Sequence, residues 1–257
     1  MVFFESETAV LGPPVDATPA EYPGAVALEG RSGRVEKLDP ERHCTSLWNS
    51  FSGEDRLWTY MAYGPFADAS EFAGWLSARA ALRDLYSYAI VDDSGRALGL
   101  AALMEVRPTM RVIEIGHVVV SPQLQRTTLA SEAQFLLARY AFETLRYRRY
   151  EWKCNALNAA SRRAALRLGF TFEGVFRDHM IVKGRSRDTA WYSMLATEWP
   201  ARKAAFERWL APDNFDAGGR QKASLSALQG EAIRAEMSAH RALESTASIP
   251  AERPPNS

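Results

Sequence analysis

The stretch Ser121–Phe142, SPQLQRTTLASEAQFLLARYAF, begins as a loop and continues as an amphipathic helix. Residues 111–120 before it, RVIEIGHVVV, are a β-branched run that Pro122 stops, so we expect a strand with apolar residues on both faces. The turn between them holds Gln125, Arg126 and two threonines, without Gly or Pro. A strand followed by a helix N-terminus presents unpaired N–H groups and a partial positive charge, which together bind anions. The stretch therefore predicts a diphosphate-binding turn, and an ordinary Thr-capped helix start is the alternative.

Outward from this turn, apolar periodicity predicts a mixed sheet with helices on both of its faces. Two helices are expected near 41–52 and 68–82, and the residues at 93–95 indicate a hairpin turn. Asn158 is a good N-cap for a later helix, which Gly169 ends. The predicted order is one strand, two helices, three strands, a helix, a strand, a helix and two strands. This is an α/β (α+β) fold.

The composition divides the chain of 257 residues into three parts. Residues 1–33 are rich in Pro, Gly and Ala and predict an irregular lead-in to a domain at 34–210. Residues 211–257 predict a linker and a C-terminal tail, either helical or disordered, with one helix followed by disorder as the working prediction. Three roles for the tail stay open: packing on the domain, pairing with a second subunit in a homodimer, or neither.

Charge and cysteine usage limit the class of protein. Lys plus Arg equals Asp plus Glu at 31 each, which gives no sign of a nucleic-acid partner. Cys44 and Cys154 lie far apart and the four histidines do not cluster, so we expect free thiols and no metal site. We expect no secretory leader, and no apolar window approaches the ~20 residues that a membrane span needs. We expect a cytoplasmic protein without a membrane partner.

Several motifs together resemble the GCN5-related N-acetyltransferase (GNAT) family. That family carries Gln/Arg-x-x-Gly-x-Gly/Ala where the pyrophosphate of acetyl-CoA binds, and the matching run here is QRTTLA at 125–130, with Thr128 where Gly is usual. The family's later signature is matched by NAASRRAALRLGFTFEG at 158–174. The resemblance covers roughly Leu11 to Leu210. It implies a GNAT-like mixed, mostly antiparallel central sheet, with an acyl-CoA as the donor substrate.

Two further details resemble the RimJ/RimL branch, which includes the ribosomal-protein N-terminal acetyltransferases. They are the EIG of the strand at 114–116 and the late hairpin sequence RDTAWYSML at 187–195. This resemblance implies a transferase that moves the acetyl group of acetyl-CoA directly to a primary amine. The amine would be a protein N-terminal α-amine or that of a small molecule.

The resemblance also implies which residues contact acetyl-CoA. The strand at 118–120 would pair with the pantetheine arm, the turn would hold the pyrophosphate, and Arg163 would lie near the phosphates. A buried strand and a solvated arginine are the alternatives. The predicted cofactor-binding residues are Val118, Val119, Val120, Gln125, Arg126, Thr127, Thr128, Leu129, Ala130, Asn158 and Arg163.

Glu114 is the first candidate for the general base that the amine needs. It lies eleven residues before Gln125, a spacing that resembles the histone-acetyltransferase branch of the family. A carboxylate in a part-buried strand tends to have a raised pKa and accepts a proton through water. The alternative is an ion pair with an arginine across the sheet. His117 is the second candidate, although regular pairing would turn it to the opposite face unless a bulge intervenes.

The leaving thiolate needs a proton donor or another stabilising contact. Many members of the family use a tyrosine at the position that Ala165 occupies here. Ser161, on the first turn of the same helix, is the candidate that the RimL-like branch implies, and a capping serine is the alternative. Cys154 is expected in the core, because direct transfer needs no acyl-enzyme.

The acceptor pocket is the least defined part of the prediction. Aromatic residues of the segment between the first two helices, Trp58 and Tyr60, and the hairpin residues Arg177 and His179 are its predicted walls; core and surface roles are the alternatives. Two other functions remain open. The donor could be a larger acyl-CoA such as succinyl-CoA, whose carboxylate Arg177 or His179 would pair, or the chain could be a non-catalytic CoA-binding or interaction module.

Overall fold

The computed structural model describes residues 12–247, in which eight strands form one sheet. The strand order is β1-β2-β3-β4-β5-β6-β8-β7. Neighbouring strands are antiparallel except β5 and β6, which are parallel, so the predicted mixed, mostly antiparallel sheet is confirmed. The strands are β1 (Ala27–Glu29), β2 (Gly33–Lys37), β3 (Tyr86–Asp92), β4 (Ala97–Arg107), β5 (Val112–Val120), β6 (Arg149–Asn155), β7 (Thr171–Val182) and β8 (Arg185–Leu195).

Six α-helices lie within the described residues. Asp39 and Asp68 begin the first two, because each carboxylate accepts hydrogen bonds from two backbone N–H groups of the first turn. The third helix runs directly into a π-helical turn at Tyr140–Thr144. The helices are α1 (Pro40–Phe51), α2 (Ala69–Ala80), α3 (Thr128–Arg139), α4 (Ala159–Arg167), α5 (Trp199–Leu210) and α6 (Leu225–Ala247).

The sheet separates two hydrophobic cores, one on each face. Along β3, Tyr88 and Ile90 belong to the core beneath α3 and α5, whereas Ala89 and Val91 belong to the core beneath α1 and α2. This alternation follows from the period of two in a strand. Because β3 is buried on both sides, helices cover both faces of the sheet, as the sequence predicts.

Two elements were absent from the sequence prediction. β1 lies inside the predicted irregular lead-in and is only three residues long, too short for a periodic pattern. α5 had a usable signal, since Trp199, Phe206 and Trp209 are spaced for one helix face and all three are buried. The first eleven residues of the predicted lead-in, and the predicted disorder from 248 onward, lie outside the described residues.

The C-terminal segment folds back on the domain. Asn214 closes the connection after α5 by donating from its side chain to the carbonyls of Trp209 and Ala223, at 2.9 and 3.1 Å. Leu225 and Leu228 of α6 are buried in the same core as α3 and α5. Of the three open roles of the tail, packing on the domain is the one that these contacts show. None of the described helices combines the length and the apolar character needed to cross a membrane.

Candidate active site

A long groove opens where the two parallel strands of the sheet separate. β5 and β6 pair as far as Ile115 and Trp152, and their later residues, all within the described part of the chain, do not pair with each other. Both strands continue nonetheless, β5 to Val120 and β6 to Asn155. The splayed ends leave a groove of about 1960 Å³ between them. This volume is sufficient for a large, extended ligand.

A bulge in β5 brings both base candidates into this groove. The register against β4 shifts after Gly116, which gives β5 one extra residue. His117 lies in the bulge with a φ of 52°, in the left-handed region that few residues other than glycine adopt. Glu114 and His117 therefore both line the groove, although regular pairing would have placed them on opposite faces.

The edge of β5 after the bulge presents unpaired backbone groups to the groove. The N–H of Ser121 donates to the carbonyl of Leu98 in β4, so by alternation Val118 and Val120 direct their backbone groups away from β4. On that side the Gln125 side chain donates to the Val120 carbonyl at 3.1 Å. The remaining open N–H and C=O groups can pair with an extended amide-containing ligand, as an added strand does.

The turn quoted at the outset forms the next part of the groove wall. Arg126 has a φ of 64°, and Thr127 then caps α3 by accepting from the Ala130 N–H at 3.2 Å. The left-handed residue is thus Arg126, one position before the cap, and Thr128 is the first residue of the helix. The N–H groups of Thr128 and Leu129 lack intrahelical acceptors, as the first turn of a helix requires. This end of the groove therefore attracts anions.

A second helix N-terminus lies on the other side of the same groove. Asn158 caps α4 and accepts from the Ser161 N–H at 3.0 Å, which confirms the predicted cap. Arg163 and Arg167 of α4 also line the groove. Two helix N-termini and three arginines, counting Arg126, therefore line this groove, which is favourable for a polyphosphate.

Glu114 lies at the opposite end in a buried position. Its carboxylate is 2.8 Å from the ammonium of Lys153 on β6, so its partner is a lysine and not the arginine named as the alternative. Burial raises the pKa of Glu114, and the nearby Lys153 opposes that rise. Lys153 is also 3.1 Å from Glu151 and lies over the Trp191 ring at 4.1 Å.

His117 is held neutral by its surroundings. Burial, with the neighbouring guanidinium groups of Arg79 and Arg187, lowers its pKa to about 3. Its Nδ1 is 3.0 Å from the hydroxyl of Tyr63, whose pKa burial raises to about 12. The protonated hydroxyl can therefore donate to Nδ1, which places the ring hydrogen on Nε2.

Ser161 has a hydroxyl hydrogen available for the groove. The indole N–H of Trp152 donates to its Oγ at 3.0 Å, and Oγ can still donate in turn. Cys154 lines the groove nearby, but burial raises the pKa of its thiol, which disfavours the nucleophilic thiolate. Ala165, at the position of the family's tyrosine, is fully buried and has no side-chain group that could donate a proton.

Most of the predicted site residues line this one groove. Tyr60 also donates to the Leu157 carbonyl at 3.2 Å, and His179 bonds the Thr189 hydroxyl through Nδ1 at 3.0 Å. The predicted residues that line the groove are Tyr60, Glu114, Val118, Val119, Val120, Gln125, Arg126, Thr127, Thr128, Ala130, Asn158, Ser161, Arg163 and His179.

Three predicted site residues lie elsewhere. Trp58 is only 2% exposed and packs among aromatic rings of the second core, so its assignment to the acceptor wall was wrong. Arg177 is exposed on β7 and is not among the residues that line the groove, although His179 of the same strand is. Leu129 turns its side chain into the main core and leaves only its backbone N–H for a ligand.

Sequence reasoning missed two groups of groove residues. Lys153, Arg187 and Trp191 come from β6 and β8, and their alternation along these strands is the signal that was available. The second group belongs to the C-terminal segment, whose docking no local pattern indicates; it comprises Trp209, Phe215, Gly219, Arg220, Gln221, Ser226, Gly230 and Ile233. Within residues 12–247, no group of three or more His, Cys, Asp or Glu side chains is arranged to hold a metal ion.

Solved structures share both the fold and much of the sequence. A GCN5-related N-acetyltransferase from Brucella melitensis is 44% identical, with a TM-score of 0.81, and the match covers 84% of this chain and 99% of that one. A GNAT-family protein from Chromobacterium violaceum is 42% identical with a TM-score of 0.71, covering 77% and 100% of the two chains. The predicted GNAT-like fold is thereby confirmed.

Curated sequences give a shorter match. YdaF of Bacillus subtilis, provisionally named as a ribosomal N-acetyltransferase, is 31% identical over 109 residues, which are 42% of this chain and 59% of YdaF. The uncharacterized N-acetyltransferase YoaA of the same organism is 31% identical over 103 residues, 40% of this chain and 58% of its own. The chain thus matches less than two thirds of the length of either relative.

The family model for the acetyltransferase (GNAT) domain matches residues 36–171, more than half of the chain. The matched range runs from β2 to the start of β7 and contains both the turn between β5 and α3 and the splayed strands. The chain belongs to the GNAT family of N-acetyltransferases.

Proposed function

We propose that the protein transfers the acetyl group of acetyl-CoA directly to a primary amine, with Glu114 as the general base. The observation that carries this proposal is the single groove that joins the anion-binding turn to a buried carboxylate. The turn and the carboxylate lie on the same strand-turn-helix unit, at the two ends of the splayed part of β5. A donor bound along the strand would therefore present its acyl end near Glu114.

The chain's own groups fit the parts of an acyl-CoA in order. The N-terminus of α3, with Arg126 and Arg163, suits the pyrophosphate. The open backbone edge at Val118 and Val120 suits the amides of the pantetheine arm, which would extend the sheet at its splay. The acyl end then falls between Glu114 and Ser161.

The chemistry needs three proton movements. Glu114 accepts a proton from the acceptor ammonium through a water molecule, and the raised pKa of this carboxyl favours that transfer. The neutral amine then forms the C–N bond as the C–S bond breaks. The Ser161 hydroxyl, whose oxygen accepts from Trp152, donates a proton to the departing thiolate. The proton that the nitrogen loses as the amide forms returns through water to Ser161 and restores its hydroxyl.

The acceptor that we propose is an N-terminal α-amine of a protein. The name of YdaF, which points to a ribosomal substrate for that relative, supports this choice. The groove is open beside Tyr60 and His179, where a chain terminus can enter. A small-molecule amine uses the same chemistry and is the second substrate to test.

The test is thiol release from acetyl-CoA in the presence of a panel of amines. The panel contains peptides with free and with blocked N-termini, free amino acids and polyamines. Amine-dependent release, with mass spectrometry locating the acetyl group on the α-amine of free peptides only, is the expected result. Tight CoA binding without turnover of any amine would instead indicate a non-catalytic CoA-binding module.

A further inference from the structure

Arg187 places a positive charge in the groove wall and forms no ion pair by direct contact with any carboxylate of the described chain; Glu114, which acts on it at longer range, is already paired with Lys153. It lies on β8, on the same strand face as Thr189 and Trp191, and all three line the groove. Its side chain belongs to none of the ion pairs formed among the described residues. Its Nε is buried and has no hydrogen-bond acceptor in that part of the chain. A half-buried guanidinium left in this state costs free energy that a ligand can recover.

A second unpaired guanidinium raises the positive charge at the same end. Arg79 of α2 is 7% exposed and lies over the rings of Tyr63 and Trp75, at 5.0 and 5.4 Å. It takes part in no ion pair within residues 12–247, and one of its terminal nitrogens is buried without an acceptor. Both arginines lower the pKa of the His117 imidazole, so their two positive charges act on the same residue.

The carboxylates near this end do not balance that charge. Glu114 already pairs with Lys153, and Glu151 pairs with Lys153 and two arginines. Glu105, the remaining carboxylate of the groove wall, is exposed. The acyl and acceptor end of the groove therefore keeps an excess of positive charge, which complements an anionic ligand group.

We infer that Arg187 binds a carboxylate of the reacting partners, so that the substrate pair carries an acid group beside the reacting amine or thioester. This inference rests on the proposed acyltransferase function and specifies its substrate class. A carboxylate would form a bidentate pair with the guanidinium and satisfy its buried Nε. The acid can come from two sources, a dicarboxylic acyl donor or an acceptor with its own carboxylate.

Two matched comparisons distinguish the sources. The donor arm compares succinyl-CoA with butyryl-CoA, which have the same acyl chain length. The acceptor in both cases is one peptide that has a free amine and blocked carboxyl groups. The acceptor arm compares an amino acid with its amide, using acetyl-CoA. We expect one arm to show a preference of about tenfold or more in kcat/KM for the carboxylate, because a charge-assisted pair with the guanidinium forms only with the acid partner.

Arg187→Gln should remove that preference, whereas Arg187→Lys should restore only part of it because an ammonium lacks the planar fork. Arg177→Gln is the matched control, since that exposed arginine of the neighbouring strand lies outside the groove and should keep the native ratio. An equal preference for acid and neutral partners in both arms of the native protein would overturn the inference. So would a preference that survives Arg187→Gln.

A binding measurement separates this inference from the proposed function. Calorimetric titration gives the dissociation constants of succinyl-CoA and butyryl-CoA without turnover. The amino acid amide and the peptide with blocked carboxyl groups carry no carboxylate, so they test whether acyl transfer to an amine occurs at all. Transfer to neutral partners with no acid preference in binding or rate defeats the inference alone. Absence of transfer with every pair, together with calorimetric binding that differs neither between the two donors nor between the amino acid and its amide, defeats both.

Discussion

At the scale of single residues, the pKa shifts of Glu114 and His117 have opposite directions, and this distinguishes the two candidates for the general base. A general base that works near pH 7 must both accept and release a proton at that pH, so its pKa has to lie near 7. The pKa of His117, about 3, is too low for its imidazole to retain a proton. Burial shifts the pKa of Glu114 toward neutrality, although Lys153 limits the shift. Glu114 is therefore the better candidate for the base that we propose, and the His117 imidazole is neutral at that pH.

Glu114→Gln should lower kcat by about 10²–10⁴ at pH 7, the usual worth of a positioned base. The amide keeps the shape of the side chain and cannot accept the proton. The deficit should shrink as the pH approaches the pKa of the acceptor amine, where free amine is already present. Steady-state rates against pH, with CoA affinity measured by calorimetry, check this. A near-normal kcat at pH 7 would show that Glu114 is not the general base and has only a structural role in its ion pair with Lys153.

The buried His117 should make the protein sensitive to acid. Its pKa falls from 6.5 in the unfolded chain to about 3 in the fold, so between these values the unfolded state binds the extra proton. Stability is therefore lost as the pH falls from 6.5 toward 3. His117→Gln removes this linkage, and its melting temperature should fall less between pH 7 and pH 4 than that of the native protein. Parallel melting curves for the two proteins would contradict the assignment.

At the scale of elements, the strand-turn-helix unit could be predicted but its internal distortion could not. Apolar periodicity and the QRTTLA turn placed β5, the turn and α3 correctly, because local pattern determines where such elements begin. The bulge at His117 depends on pairing with β4, and the splay depends on β6. Both are contacts between strands distant in sequence, which no local pattern specifies. The groove was therefore beyond sequence reasoning, although most of the predicted site residues line it.

Charge reversal at the turn should act on the donor and spare the fold. Arg126→Glu places a carboxylate beside the N-terminus of α3, where a diphosphate would bind. Loss of one charge-assisted contact of 1.5–3 kcal/mol should raise KM for acetyl-CoA by roughly 10- to 100-fold, with little change in KM for the amine. Arg83→Glu, an exposed site outside the groove, makes the same change in net charge and should leave both constants unchanged. If Arg126→Glu leaves the KM for acetyl-CoA unaltered, the turn does not bind the phosphates of the donor.

At the scale of the whole molecule, the C-terminal segment both packs on the domain and forms part of the groove wall. α6 packs on α5 through Leu225 and Leu228, and the buried Gln229 donates to the Arg202 carbonyl at 3.2 Å. The same helix contributes Ile233 to the groove wall. Composition alone suggested a linker and a separate tail, since a thin apolar stripe cannot show which surface it covers. The packing makes α6 part of the same core.

Leu228→Ala tests whether this packing matters to both stability and the groove. Removing a fully buried leucine side chain should lower the free energy of unfolding by about 2–5 kcal/mol, and urea denaturation measures it. Because Ile233 lies on the same helix and lines the groove, a loosened α6 should also raise KM for acetyl-CoA. Glu231→Ala is the matched control on α6. It removes an exposed ion pair with Arg208, worth less than about 1 kcal/mol, and should change neither quantity. If Leu228→Ala lowers stability while KM stays native, α6 supports the fold without contacting the donor.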